Sequence, residues 1–283
     1  MAALRSVGSQ RTRMAVPYLI WALIFIIVPI VLILYYSLTV ENDSGVIAFS
    51  WSNYARAFQP TYLLVMWRSV LLALISTVIC VLTGYPIAYI MASKEYSSKG
   101  FLLFLFLVPM WMNFLLRTYS WIAILENNGI INTFLKAIGL PALKLLYVDQ
   151  AVVLGMVYNF LPFMILPIYT VLSKMDQNLI EAAQDLGANN RNVFLKLIFP
   201  LSMPGVISGV TMVFMPAVTT FIISDLLGGG QYMLIGNLIE QQFLLVNDWH
   251  FGSAVSVILM AMVIISVGIF SMVDKDSEGG ALF

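Results

Sequence analysis

Residues 176–200 read DQNLIEAAQDLGANNRNVFLKLIFP, and they make up most of a polar loop that we define as residues 174–200. Charged and amide side chains are concentrated in this loop, whereas long apolar runs lie on both sides of it. A polar connection between two apolar runs is typical of a chain that crosses a membrane before and after the connection. The polar loop therefore predicts a membrane span on each of its sides.

The composition is that of an integral membrane protein. Of the 283 residues, 61% are hydrophobic and only 10% are charged, and the mean hydropathy is +0.94. Soluble domains carry about 25% charged residues. The net charge of zero gives no indication of a nucleic-acid partner. The single cysteine, Cys80, cannot form a disulfide within the chain.

Apolar segments long enough to span a bilayer, which takes roughly 20 residues of helix, occur along the whole chain. Backbone polar groups in lipid must find partners within their own segment, so each segment is expected to be helical. The first run is too long for a signal peptide and lacks a small-residue cleavage site, so it is expected to remain as a span. The sequence thus predicts an all-α membrane protein with six transmembrane helices, at about residues 15–40, 68–92, 100–124, 151–172, 203–224 and 252–273.

The distribution of lysine and arginine predicts the orientation of these spans. With the N-terminus inside the cell, nine basic residues fall in inside segments and five in outside segments, as the positive-inside rule requires. The inside set is Arg5, Arg11, Arg13, Lys94, Lys99, Lys174, Arg191, Lys196 and Lys275, and the outside set is Arg56, Arg68, Arg117, Lys136 and Lys144. The polar loop is then cytoplasmic, as are an N-terminal segment (1–14) and a tail (274–283) that flank a transmembrane domain (15–273).

Motifs for catalysis or energy conversion are missing from the sequence. It contains no G-x-x-x-x-G-K followed by Ser or Thr, so the chain lacks this device for binding ATP. The only histidine, His250, has no neighbours at metal-ligand spacing. No carboxylate lies at the centre of a span, where an ion-coupled transporter usually carries one. Prolines within the spans favour helices that bend around a pathway; they are Pro29, Pro86, Pro109, Pro162, Pro167 and Pro216.

The polar loop carries the signals of two short helices joined by a turn. Asp176 is a good N-cap for a helix that starts at the next residue, and Gly187 supplies the left-handed residue that ends a helix. A second helix is expected to start at Asn189 or Asn190 and to end at Pro200. Their apolar faces consist of Leu179, Ile180, Ala183 and Leu186 in the first helix and Val193, Phe194, Leu197 and Ile198 in the second.

An alternative is that the first of these helices lies on the membrane surface without a protein partner. Such helices usually have a basic polar face, whereas this one carries Glu181, Gln184 and Asp185. The acidic face favours docking to another protein, and the small side chains of Ala182 and Ala183 would permit a close approach.

The spacing Glu181-Ala182-Ala183-x-x-x-Gly187, with a second helix and Pro200 after it, resembles the cytoplasmic loop of permease subunits in binding-protein-dependent ABC importers. The resemblance implies a coupling helix between the fourth and fifth spans that docks in a cleft of a separate ATPase. The residues implied in coupling are Glu181, Ala182, Ala183, Asp185, Gly187 and Arg191.

The same resemblance implies what the chain works with. It implies a non-catalytic chain that holds no cofactor, since ATP and Mg²⁺ would belong to the ATPase. The implied partners are a second homologous permease, an ABC ATPase dimer, an extracytoplasmic solute-binding protein and the lipid of a bacterial inner membrane. No nucleic acid is implied.

Further segments, spread along nearly the whole chain, resemble permeases of the spermidine/putrescine type. They are Y-P-I-A-Y (85–89), L-V-P-M-W-M-N (107–113), L-P-F-M (161–164), S-D-L-L-G-G (224–229), L-I-G-N (234–237), Phe243 and D-W (248–249). The resemblance implies a permease that imports polyamines.

Polyamines are flexible cations, and proteins hold such ligands with carboxylates and with aromatic faces. Candidate pathway residues near the outer ends of the spans are Trp111, Asn113, Tyr119, Trp121, Glu126, Asp225 and Glu240. Alternatively, the aromatic residues form the interfacial belt common to membrane proteins. Arg117 lies in the same region and would repel a polycation, so an acid or the binding protein is its expected contact.

Three other functions are compatible with parts of the sequence. The same architecture could import another small solute, such as ferric ion, sulfate, an opine or a phosphonate. An ion-coupled secondary transporter would need no ATPase, but the lack of a carboxylate within the spans argues against it. A non-transporting scaffold is the third alternative, and the prolines within the spans argue against it.

Overall fold

The computed structural model describes residues 16–41, 46–93 and 99–279. The predicted N-terminal segment 1–14, and with it Arg5, Arg11 and Arg13, lies outside the described residues, as does Lys94. In chain order the elements are α1 (Val16–Ser37), β1 (Thr39–Glu41), β2 (Ile47–Phe49), α2 (Ser52–Ala57), α3 (Pro60–Ala92), α4 (Lys99–Trp111), α5 (Phe114–Leu125), α6 (Ile130–Ala137), α7 (Asp149–Lys174), α8 (Gln177–Asp185), α9 (Asn190–Thr219), α10 (Ile222–Gly228), α11 (Ile235–Gln241) and α12 (Trp249–Gly279).

The chain forms two compact units. Among the described residues, the first unit consists of 16–41, 46–63 and 239–260, and the second consists of 64–93, 99–238 and 261–279. Helices α3, α11 and α12 run from one unit into the other.

Within the described residues, five continuous helices are long and apolar enough to span a membrane: Val16–Ser37, Pro60–Ala92, Asp149–Lys174, Asn190–Thr219 and Trp249–Met272. They confirm the first, second, fourth, fifth and sixth predicted spans, with ends that differ by several residues. The fifth helix ends at Thr219, before the predicted end at residue 224, and the last helix continues to Gly279 into the predicted tail.

The third predicted span, residues 100–124, is not one continuous helix. Helix α4 ends at Trp111, and the chain bends by 97° before α5 begins at Phe114. Pro109 cannot donate a backbone hydrogen bond and weakens the last turn of α4. The Asn113 side chain then accepts hydrogen bonds from the backbone N–H of Leu115 (2.8 Å) and Leu116 (3.4 Å), which caps the new helix. A prediction of an unbroken span was therefore wrong at this point.

The core of the second unit forms where α7 and α9 pack against each other. A Cβ atom added at Gly205 would lie 3.0 Å from the backbone oxygen of Pro167, and one at Gly209 would lie 2.7 Å from the Met164 sulfur. Two glycines four residues apart thus bring the backbones of α7 and α9 close together, as small residues do between membrane helices. The two helices that flank the polar loop are consequently tightly joined.

Pro200 does not end the second helix of the polar loop, as the sequence had predicted. That helix continues through Pro200 as α9, and a π-helical turn covers Phe194–Ile198 just before the proline. In this turn the N–H of Phe199 donates to the carbonyl of Phe194, five residues earlier. The π turn shifts the hydrogen-bond register just before Pro200. The helix can therefore continue although proline has no backbone N–H to donate. The same arrangement precedes Pro29, where the N–H of Val28 donates to Leu23.

In the first unit, a short antiparallel hairpin of β1 and β2 lies beside α2 and the start of α12. Thr39 pairs with Phe49, and Asn53 donates its side-chain amide to the carbonyl of Thr39 at 2.9 Å. The ring Nδ1 of His250 lies 3.1 Å from the Thr39 hydroxyl, so the only histidine has a structural contact. This hairpin is a small addition to the predicted all-α architecture.

Candidate functional site

The polar loop forms the predicted first helix, with the predicted cap and the predicted turn. Helix α8 begins at Gln177, and the Asp176 carboxylate accepts a hydrogen bond from the N–H of Asn178 at 3.0 Å. Gly187 follows the helix with a φ of +82°, the left-handed conformation that favours glycine. The Asn189 side chain caps the next helix by accepting from the N–H of Asn192 at 2.8 Å.

One face of α8 lies over a cavity of about 600 Å³. Gln177, Ile180 and Gln184 line this cavity from α8, and residues of α3, α7 and the start of α9 line the rest of it. Glu181 and Asp185 are also exposed, and Glu181 lies one turn from both Gln177 and Gln184, beside the face that lines the cavity. Helix α8 therefore presents two exposed carboxylates at the edge of this cavity.

The other residues predicted for coupling differ in their exposure. Ala182 is exposed beside Glu181, whereas Ala183 is half-buried and lies on the side of α8 that faces the bundle. Arg191 is exposed in the first turn of α9. Leu186, directly after α8, is 90% exposed.

The candidate pathway residues on α4 and α5 do not share one surface. Tyr119 is exposed, whereas Trp121 packs edge-on against Tyr158 of α7 with ring centroids 5.4 Å apart. Residues two positions apart lie on opposite sides of a helix, so Tyr119 and Trp121 face in different directions. Trp111 is exposed at the end of α4, and Asn113 serves as the cap at the break.

The structure sorts the outer carboxylates into paired and unpaired ones. Asp149 accepts two hydrogen bonds from Arg68, at 2.6 and 2.7 Å, and Asp248 accepts one from Arg56 at 2.7 Å. Within the described residues, Glu126, Asp225 and Glu240 form no salt bridge. Glu126 and Asp225 belong to the second unit and are exposed, and Glu240 is half-buried on α11 in the first unit.

The two ion pairs were not apparent from the sequence, because their members lie 81 and 192 positions apart. The guanidinium of Arg68 also lies 4.1 Å from the ring centre of Tyr232. Arg56 stacks on Phe251, with 3.9 Å between the guanidinium carbon and the ring centre. Burial by itself lowers the pKa of Arg56, but hydrogen bonds to Tyr62 and Asp248 outweigh burial, so the pKa lies above its ordinary value. These arginines are firmly charged structural residues.

Replacing Asn113 with alanine is expected to destabilise the protein by about 1–2 kcal/mol, because the N–H groups of Leu115 and Leu116 lose their shared side-chain acceptor. Asn113→Ser keeps a capping oxygen and should retain most of the stability. Thermal unfolding of the purified protein in detergent measures the difference. Equal melting temperatures for the alanine variant and the unchanged protein would contradict a capping role.

Among the described residues, several helices long and apolar enough to cross a membrane, together with one sharply bent helix pair, define a multi-pass membrane protein. The family model described as "Binding-protein-dependent transport system inner membrane component" matches residues 84–275. This chain belongs to that family, which makes it a multi-pass inner-membrane protein.

Individual relatives and solved structures agree with the family. The chain is 41% identical over 251 residues to the "Spermidine/putrescine transport system permease protein PotB" of Haemophilus influenzae, covering 86% of this chain and 88% of the relative. It is 39% identical over 243 residues to the protein of the same name from Escherichia coli, covering 84% and 88%. In fold it is similar to a bacterial ABC transporter involved in the import of alginate, with a TM-score of 0.77 over 98% of this chain and 99% of that chain at 16% identity.

Proposed function

We propose that this chain is a permease subunit of an ABC importer that takes up spermidine and putrescine, driven by ATP hydrolysis in a separate subunit. The observation that carries the proposal is the 41% identity, over 86% of the chain, to a spermidine/putrescine permease. At that identity and coverage, the helices and the loops between them are shared. The segments that first suggested this cargo extend from residue 85 to residue 249, so the likeness is not limited to the polar loop.

The unpaired carboxylates support a cationic cargo. Asp149 and Asp248 are neutralised by arginines and have little attraction left for a polyamine. Asp225 and Glu126 are exposed and unpaired among the described residues of the second unit. A carboxylate without a protein partner is free to bind an ammonium group, and two such groups suit a ligand with several charges.

The connections of α8 support its role in energy coupling. Only Met175 and Asp176 lie between α7 and α8, and a short turn around Gly187 joins α8 to α9. Because Gly205 and Gly209 hold α7 and α9 tightly together, a push on α8 moves both helices as one body. An ATPase that binds ATP and Mg²⁺ and closes around α8 would thus open and close the pathway. The permease itself performs no chemistry.

The proposed function also includes an orientation of the chain in the membrane and two further partners. The polar loop and both termini face the cytoplasm, where the ATPase dimer is found. A second, homologous permease completes the pathway, and an extracytoplasmic binding protein delivers the polyamine to the outer side.

Uptake of radiolabelled spermidine by cells with and without this chain tests the proposed cargo. Deletion is expected to abolish the high-affinity component, and a plasmid copy of the chain should restore it. Excess unlabelled putrescine should compete for uptake, whereas ferric ion, sulfate, an opine and a phosphonate should not. Undiminished spermidine uptake after deletion, in a strain without other polyamine importers, would overturn the polyamine assignment.

Asp225→Asn is expected to raise the KM for spermidine uptake about tenfold, since a hydrogen bond to a charged group contributes about 1.5–3 kcal/mol. Asp225 is exposed, so the substitution should leave the amount of assembled protein unchanged. Asp225→Glu keeps the charge and serves as the matched control. If Asp225→Asn transports with unchanged kinetics, Asp225 is not part of the binding site.

A further inference from the structure

Arg117 is a buried charge in the first turns of α5, directly after the break in the third span. Its side chain lies on the face of α5 that packs against the bundle, and only 8% of the residue is exposed. Thr118 and Leu125, the other buried residues of α5, share this face. Helix α5 contacts α7 and α10, so Arg117 faces protein and not lipid.

Within the described residues, this guanidinium has no acceptor. The Nε and Nη1 atoms are both shielded from solvent and have no hydrogen-bond partner. The only ring near the group is that of Phe114, at 6.0 Å, which is the outer limit for a cation–π contact. The salt bridges of the described residues involve Arg56 and Arg68 instead. Arg117 therefore stands out from the other outer arginines, which both have acids.

The depth of the break within the membrane makes an unpaired charge on Arg117 energetically unfavourable. Helix α4 has 13 residues, which rise about 20 Å, less than the roughly 30 Å of a hydrocarbon core. A chain that enters the bilayer at Lys99 thus reaches the break before it leaves the apolar region. A charged side chain at such a depth is normally paired or lines a polar cavity.

We propose that the second permease of the importer supplies a carboxylate that pairs with Arg117. The inference rests on the proposed function, because it requires that second subunit. Since Nε and Nη1 are enclosed by this chain, Nη2 is the nitrogen that receives the partner's carboxylate. A lipid phosphate is the other source of an anion for this nitrogen, and the lipid composition of vesicles distinguishes the two. The ion pair would join the two permeases beside the pathway and remove a positive charge that repels polyamines.

The first experiment compares Arg117→Met with Arg117→Lys in the complete importer, with an affinity tag on this chain. Removal of the guanidinium leaves the partner's acid buried without a counter-charge, which is strongly destabilising. The amount of second permease recovered with the tagged Arg117→Met chain is expected to fall about tenfold or more. Arg117→Lys keeps a positive charge and should recover a substantial part of the complex. Recovery unchanged or increased in Arg117→Met would overturn the proposal, because loss of an unpaired buried charge is stabilising.

The second experiment identifies the acid and guards against simple misfolding. In the Arg117→Met background, each Asp and Glu in the spans of the second permease is replaced singly by Asn or Gln. One replacement should restore recovery of the complex, because it removes the charge left unpaired. Restoration by none of them, with Arg117→Met still defective, would also contradict the pair.

Vesicles made with and without anionic lipid test the remaining source of an anion. A defect of Arg117→Met that appears only when anionic lipid is present would assign Arg117 to a lipid phosphate and reject the carboxylate. The unchanged chain is the control for the function on which the inference rests. If the unchanged chain recovers no second permease, the proposed function is wrong. If the unchanged chain and the Arg117→Met chain recover equal amounts of second permease, only the proposed ion pair is wrong.

Discussion

Glu181→Lys is expected to abolish spermidine uptake while leaving the protein in the membrane. Glu181 is exposed on α8 and forms no salt bridge among the described residues, so its replacement costs the fold little. The groove of the ATPase that is proposed to accept this acidic helix would then contact a lysine. Like charges placed together at an interface cost several kcal/mol, which corresponds to a loss of about 100-fold or more in binding.

Three measurements on Glu181→Lys separate coupling from assembly: uptake, the amount of protein in the membrane, and the ATPase recovered with the tagged permease. Glu181→Gln removes the charge without reversing it and should give an intermediate loss. Normal uptake together with normal recovery of the ATPase in Glu181→Lys would show that α8 is not the coupling helix.

Gly187→Val is expected to abolish transport by a different route. The φ of Gly187 is +82°, and apart from the flanking residues no atom of the described chain lies within 4 Å of the position that a Cβ would take. The expected effect of a side chain here therefore comes chiefly from the backbone conformation. A residue with a Cβ loses about 1–2 kcal/mol in the left-handed conformation, and a β-branched residue fits there poorly. The chain would leave that conformation, and α8 would change its direction relative to α9.

Gly187→Asn is the matched control, because asparagine tolerates the left-handed conformation better than other residues with a side chain. Uptake should be largely retained with asparagine and lost with valine, at equal amounts of protein in the membrane. Equal uptake by both variants would show that the conformation of Gly187 has no part in coupling.

The polar loop was predictable in detail because its signals are local. A cap at Asp176, a glycine at position 187 and a second cap at Asn189 each act on backbone groups within three residues. The end of the second helix was not predictable in the same way. A proline can either end a helix or follow a π turn, and the choice at Pro200 depends on how α9 packs on α7.

The broken span shows the limit of hydropathy as a guide. Residues 100–124 are apolar enough throughout to span a membrane. Hydropathy, however, gives no information about a change in the direction of the helix. Pro109 was predicted to bend a helix, but Asn113 was predicted only as a pathway residue, and its capping role at the start of α5 became apparent from the structure. The partners of the outer arginines depend even more on the fold, since sequence position does not tell which acid an arginine meets. The ion pairs use Asp149 and Asp248, neither of which was a predicted pathway acid, and the three predicted acids Glu126, Asp225 and Glu240 form no salt bridge among the described residues.

The most direct test of the central claim is spermidine uptake into proteoliposomes that contain this chain, the second permease and the ATPase, with the binding protein added outside. We expect uptake that requires ATP inside the vesicles and the binding protein outside, and that disappears when this chain is omitted or carries Glu181→Lys. Uptake that continues without ATP, or without this chain, would contradict the assignment of a polyamine permease driven by a separate ATPase.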